Sequence, residues 1–168
     1  MASAEPDLEP RPASGSVSVL TRWMGIGDAN TGGFVHGGAV MRICDEAAGI
    51  AAIRHSSNRV VTAAMDRMTF VQPVRIGELV TCRAMVNAVW NTSMEVGVRV
   101  EAEDTFTGEV HHTSTAYLTM VAIDGEGRPT TVPPLLTESE DEERRRREAE
   151  LRRQNRLAER DQILSGRG

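Results

Sequence analysis

The amino-acid sequence predicts an α+β domain in which an antiparallel sheet of five or six strands wraps around one central apolar helix. Three observations lead there. Residues 38–54, GAVMRICDEAAGIAAIR, are rich in alanine, free of proline and apolar on nearly every helical face, which describes a helix enclosed by protein. Four strand-length segments follow it, separated by short turns. The third of these alternates cleanly, with Met94, Val96, Val98, Val100 and Ala102 on one face and Glu95, Arg99, Glu101 and Glu103 on the other, so one face is expected buried and the other wet.

Taken in order, residues 1–14 carry three prolines and scattered charge and are expected to form a disordered tail. The domain is expected over residues 15–125. It begins with a strand at 16–24 (SVSVLTRWM), which runs into DANTGGFVHGG, whose four glycines and Asn30 mark irregular backbone before the helix opens. Residues 60–74 read as a strand ending at Pro73, and the turn Ile76-Gly77-Glu78 leads into a second at 79–90. Asn91-Thr92-Ser93 turns the chain into the alternating segment, and Thr107-Gly108 turns it again into a strand at 109–123. Such a meander leaves open sheet edges, and pairing an edge with a second copy is one way to protect it, so a homodimer is the minimal expected unit. Residues 126–168 read as a linker and a charged helix, with acids in its first turns, arginines after them and many Glu-Arg pairs four apart. That helix is expected to be solvated or, alternatively, to contact another subunit or a partner.

The charge balance narrows the chemistry. The chain has a formal net charge of −5, and all 19 of its basic residues are arginine. Without lysine, Schiff-base catalysis and a P-loop lysine are excluded, and any ligand phosphate must be met by arginine, hydroxyls or backbone amides. No basic stripe suggests nucleic acid. No run approaches the length of a membrane span, and the polar N-terminus does not read as a secretory signal, so a soluble cytoplasmic protein is expected. Cys44 and Cys82 make neither a metal-ligand pattern nor a disulfide framework and are expected to be buried thiols. His111 and His112 point to opposite faces of one strand and cannot chelate one ion together, so no metal and no cofactor is assigned.

Asp45 is the most informative residue. It lies within the apolar helix, with Met41, Ala48 and Gly49 about one turn away, where an ionised carboxylate is costly unless it has a partner or a task. Glu46 faces about 100° away and reads as exposed. Gly37 and Gly38 precede the helix; they form either a flexible turn or a place where free N-terminal amides meet a developing oxyanion. His36 reads as a structural or substrate-contacting residue, with a general base as the alternative.

Three blocks in order, DANTGGFVHGGAVMRICDEAAGIAAIRH, VVTAAMDRMTFVQPVRIGELV and NTSMEVGVRVEAED, resemble the acyl-CoA thioester hydrolase family of the hotdog fold, which includes cytosolic long-chain enzymes. The resemblance runs from about Arg22 to Ile123. It implies hydrolysis of acyl-CoA to free fatty acid and CoA, with Asp45 as general base or nucleophile and Asn30 supplied by the partner protomer. It also implies a CoA groove between protomers, with Asn91, Thr92 and Ser93 and an arginine such as Arg59 or Arg99 near the phosphates, and a homodimer or a trimer of dimers. The rival expectations are a hotdog hydratase or dehydratase, which needs a histidine paired with a carboxylate, and an acyl-CoA sensor without turnover.

Overall fold

The computed structural model describes residues 8–166. Five strands, β1 (Ser18–Trp23), β2 (Arg59–Met65), β3 (Leu79–Val89), β4 (Ser93–Glu103) and β5 (Val110–Ile123), form one sheet in the order β1-β3-β4-β5-β2, every neighbouring pair antiparallel. Two helices, α1 (Gly37–Ser56) and α2 (Glu140–Ser165), complete the fold. β3, β4 and β5 are the expected meander. The strands on either side of α1 in sequence, β1 and β2, become the two edges of the sheet, so α1 crosses the inner face from one edge to the other.

Alanine sets the closeness of that crossing. Ala47, Ala48, Ala51 and Ala52 are fully buried and, with Val40, Ile43 and Cys44, pack against the inward residues of β3, β4 and β5, including Val80, Cys82, Val96, Val98 and Leu118. Cys44 and Cys82 are the expected buried thiols, their Sγ atoms 3.9 Å apart, and this contact, together with burial, pushes the Cys82 thiol up. α1 ends at Ser57, whose backbone is left-handed at φ 56°. Arg11 holds this end by donating to the His55 carbonyl at 2.7 Å and to Ser57 Oγ at 2.6 Å.

The boundaries differ from expectation in three places. Residues 8–14 are part of the fold: Arg11–Pro12 pairs in parallel with Leu135–Leu136, and Ala13 is buried. The expectation of a disordered tail thus does not hold for residues 8–14, and residues 1–7 lie outside the described residues. β2 stops at Met65 rather than reaching residue 74, and a bulge between Thr62 and Ala64 shifts its register on β5. Beyond it only isolated bonds remain, such as Asp66 N to the Tyr117 carbonyl at 2.9 Å.

The third difference is α2, which is not a solvated helix. It lies on the outer face of the sheet, with Ala149 buried. Glu95, assigned to a wet face by alternation alone, is fully buried beneath it and takes a forked pair from Arg152, 2.7 Å at the closest atoms. Arg152 also stacks on Tyr117 with its guanidinium 3.6 Å from the ring centre, while Arg153 covers Trp90 at 4.3 Å. Asp66 pairs with Arg156 at 2.7 Å, and Arg67 pairs with Glu159 at 2.9 Å.

Arg152→Ala removes the forked partner of buried Glu95, leaving it only Asn87 at 3.2 Å and Arg156 at 3.9 Å, and should cost about 3 kcal/mol of unfolding free energy in a urea titration. Replacing both Glu95 and Arg152 with leucine should recover most of that loss, because the desolvation cost disappears with the charges. His55 sets an acid limit on the fold. Its Nε2 lies 2.9 Å from the Pro133 carbonyl, while Nδ1 is buried with no hydrogen-bond partner among the described residues. Burial holds its pKa below the ordinary 6.5, the Pro133 contact opposes that, and Arg11 adds to it. The unfolded chain therefore takes up the proton first, so stability present above about pH 6.5 should decline as pH falls below it. A thermal melt series from about pH 8 to 5 should show that decline in the parent protein and a flatter profile in His55→Gln.

Candidate active site

The loop before α1 is pinned at several points. Asn30 donates its backbone N–H to the Phe34 carbonyl at 2.7 Å, and its side-chain Oδ1 accepts from the amides of Gly32 at 2.8 Å and Phe34 at 3.2 Å. Gly33, between them, needs a left-handed backbone at φ 81°. The turn commits the Asn30 oxygen and leaves its Nδ2 with no hydrogen bond among the described residues. The loop is fastened by Asp28, whose carbonyl accepts from His36 N at 2.7 Å and whose carboxylate pairs with Arg22 at 2.8 Å.

His36 is the N-cap of α1. Its Nδ1 accepts from Gly38 N at 3.0 Å, so the Nδ1 lone pair is committed and Gly38 N–H is not free for an oxyanion. Gly37 is half-buried beside Phe70, whose ring would stand 3.5 Å from an added Cβ. Of the two glycine amides singled out in the sequence, only that of Gly37 is left to meet a substrate carbonyl.

Asp45 is not enclosed within the single chain. α1 leaves one flank uncovered, a stripe at spacing four made by Met41, Asp45, Gly49 and Ile53, with Met41 40% and Ile53 48% exposed. The expectation of a carboxylate closed in on all sides came from counting neighbours without knowing which faces the sheet would take. On that flank Asp45 Oδ1 accepts a 2.5 Å hydrogen bond from Thr62 Oγ1, and Thr62 also touches Met120 Sδ at 3.6 Å. Thr62 lies beside the bulge of β2, an edge strand whose Val61 is 46% exposed. One step along α1, Glu46 is exposed and pairs with Arg42 at 3.0 Å.

The residues considered for a nucleotide separate into two places. Arg59 donates to the carbonyls of Asp124 and Gly125, and Asn91, Thr92 and Ser93 make the β3-β4 turn against Ala122 and Val132, so these four gather near the end of β5. Arg99 does not join them. It lies in the middle of β4 on the outer face, directly opposite Arg83 on β3 and Thr115 on β5.

Residues 32–109 match the thioesterase superfamily. A solved apo-hexameric acyl-CoA thioesterase is 34% identical, covers 90% of this chain and 97% of its own, and superposes with a TM-score of 0.86. This chain belongs to the thioesterase superfamily. An acyl-CoA hydrolase from Staphylococcus aureus, solved with butyryl coenzyme A, coenzyme A and coenzyme A disulfide, is 32% identical over 92% of this chain and 94% of its own, with a TM-score of 0.84. The cytosolic acyl coenzyme A thioester hydrolase of Rattus norvegicus is 37% identical over 141 residues, and the present chain spans 37% of its length.

Within this thioesterase-superfamily fold, the curled sheet around a central helix is the hotdog architecture the sequence resembles. Thr62 is the site residue that sequence reasoning did not single out. A threonine in a strand is ordinary, and only the register of β2 against α1 reveals that its hydroxyl meets Asp45. Among the described residues, no helix is long and apolar enough to cross a membrane.

The capping role of His36 has a direct test. His36→Ala should destabilise the fold by about 1 kcal/mol in a denaturant titration, and His36→Asp should restore it, since an aspartate caps the same amide.

Proposed function

We propose that this protein hydrolyses acyl-CoA thioesters to free fatty acid and CoA, with Asp45 as general base or nucleophile, Thr62 as its positioning residue and Asn30 supplied by a second copy of the chain. The hydrogen bond from Thr62 Oγ1 to Asp45 Oδ1 carries the reading. It fixes the carboxylate and leaves the other oxygen for a water or for the thioester carbon. In the general-base course, Asp45 takes a proton as the water oxygen bonds to the carbonyl carbon; the carbon–sulfur bond then breaks and the proton passes to the departing thiolate. Gly37 N–H, at the positive end of α1, is the remaining loop amide for the carbonyl oxygen.

Two further observations support the roles. The Staphylococcus aureus acyl-CoA hydrolase has been solved with one asparagine, one aspartate or one threonine replaced by alanine, at positions separated by fifteen and then seventeen residues. Asn30, Asp45 and Thr62 have the same residue types in the same order, and their separations are likewise fifteen and seventeen. Within one chain, Gly37 precedes Asp45 by eight residues, about 12 Å along the helix axis, and Asn30 is pinned in the loop beyond that end. A second copy pairing along β2 would cover the Met41–Ile53 stripe and bring its own loop to Asp45. The commitment of His36 Nδ1 to Gly38 N–H counts against a hydratase built on that histidine. Arg59 and Asn91, Thr92 and Ser93 are the residues proposed to meet the CoA phosphates, and the cytosolic name of the rat relative favours a cytoplasmic setting.

Asp45→Asn should lower turnover of acyl-CoA, followed by release of free thiol, at least about 100-fold. Thr62→Val should lower it about tenfold without unfolding the protein. Site sharing is tested by mixing Asp45→Asn with Asn30→Asp, which keeps the oxygen that closes the loop turn and removes the amide donor. A mixed dimer has one site with both lesions and one with neither. After complete random exchange about half the dimers are mixed, so the pool should regain roughly a quarter of parental turnover. A pool as inactive as either variant alone, with exchange verified by mass spectrometry, would place Asn30 and Asp45 in the same protomer's site.

A further inference from the structure

We propose that the outer face of the sheet carries a second anion site, separate from the acyl-CoA cleft, that holds a diphosphate-bearing ligand between β3, β4 and α2. A groove of about 390 Å³ opens there, and its walls include Arg83, Arg99, Arg144, Arg145 and Arg152. Five guanidiniums converge on one groove in a chain whose net charge is −5. The inward side chains of the same strands pack on α1, so the sheet itself lies between this groove and Asp45.

The strand side of the groove is an arrangement with a cost. Arg83 and Arg99 are directly opposite one another across the β3-β4 ladder, and like charges in that relation destabilise a sheet. Between them they share one carboxylate: Glu101 lies 2.8 Å from Arg99 and 3.9 Å from Arg83. Arg99 donates to Glu101 through Nε, and no hydrogen bond from the terminal nitrogens of Arg83 or Arg99 is found among the described residues. Across the groove, Arg144 is held by Asp141 and Glu148, and Arg145 by Asp141 at 2.8 Å, which orients two more guanidiniums. Arg152 is spent on Glu95 and makes the end wall.

An anion in this space relieves the Arg83-Arg99 repulsion and accepts from forks that match phosphate oxygens in pairs. Two arginine sets facing each other suit a ligand with two linked anionic centres, which a diphosphate has and a carboxylate lacks. A cavity of this size falls within the range of small-molecule sites. The Arg59 and Asn91–Ser93 cluster proposed for CoA lies elsewhere, at the end of β5.

Calorimetric titration of the full chain with inorganic pyrophosphate should show saturable binding at millimolar concentration or tighter. Arg83→Gln with Arg99→Gln should weaken it about tenfold or more, as expected for losing charge-assisted bonds. Glu101→Gln should strengthen it, because a competing carboxylate is gone. Without ligand, the double variant should melt no lower than the parent, since it removes a like-charge pair; should it fail to fold, Arg145→Gln on exposed α2 replaces it, with the same loss of binding expected. Calorimetry reads binding without turnover, so failure of the hydrolase reading and failure of this one give different results. In assays of acyl-CoA hydrolysis, any rise in KM that pyrophosphate causes by competing at the CoA cluster should be as large in the Arg83→Gln, Arg99→Gln double variant as in the parent. No binding at about 10 mM, equal affinity in the variants, or a rise in KM that the double variant abolishes would overturn the proposal, the last by making the groove a part of the CoA cleft.

Discussion

The close contact between the alanine face of α1 and the inner face of the curled sheet is the constraint on which the other features depend. Four alanines without solvent exposure bring the helix onto β3, β4 and β5 with no room for a larger side chain, and dense packing of this kind fixes rotation as well as distance. Once the rotation is fixed, the position of every other helix residue follows. Met41, Asp45, Gly49 and Ile53 fall outside the face packed on β3, β4 and β5, and there Asp45 lies beside β2. Asp45 thus reaches the Thr62 hydroxyl through the packing of residues that take no part in chemistry.

The same geometry explains why the candidate site is built at an edge. α1 runs from one edge of the sheet to the other, so its far flank lies beside β2, whose outer backbone groups have no strand to pair with among the described residues. Unpaired edges invite another chain. In the proposed hydrolase, a carboxylate on that border is one half of a site, completed by Asn30 of the chain that closes the edge. Thr62 meets the helix just before the bulge in β2, after which Ala64 and Met65 resume the ladder along β5.

Much of this was legible before any coordinates. The helix, the meander and the buried thiols follow from composition and period-two alternation, and the resemblance of three blocks is what proposes Asp45 and Asn30 as site residues. What was illegible has a common physical origin, since each feature depends on which surfaces meet across long sequence separations. Thr62 is unremarkable until β2 is set against α1. Glu95 obeys the alternation rule, pointing away from the core as expected, yet α2, with Arg152 fifty-seven residues later, covers it. Arg11 looked like part of a tail until its partners at the end of α1 were visible. Local pattern reports which way a side chain points and is silent on what arrives there.

The fastening of α2 has a consequence for behaviour in salt. Its grip on the sheet is ionic and uneven: the Glu95-Arg152 pair is shielded from solvent, whereas Arg67 and Glu159 meet in the open near the far end of the helix. Mobile ions screen exposed pairs far more than enclosed ones. As ionic strength rises, the outer turns of α2 are released first while Arg152 still holds the middle, so the helix behaves as a tether with one deep anchor, its free end tuned by the electrolyte around it.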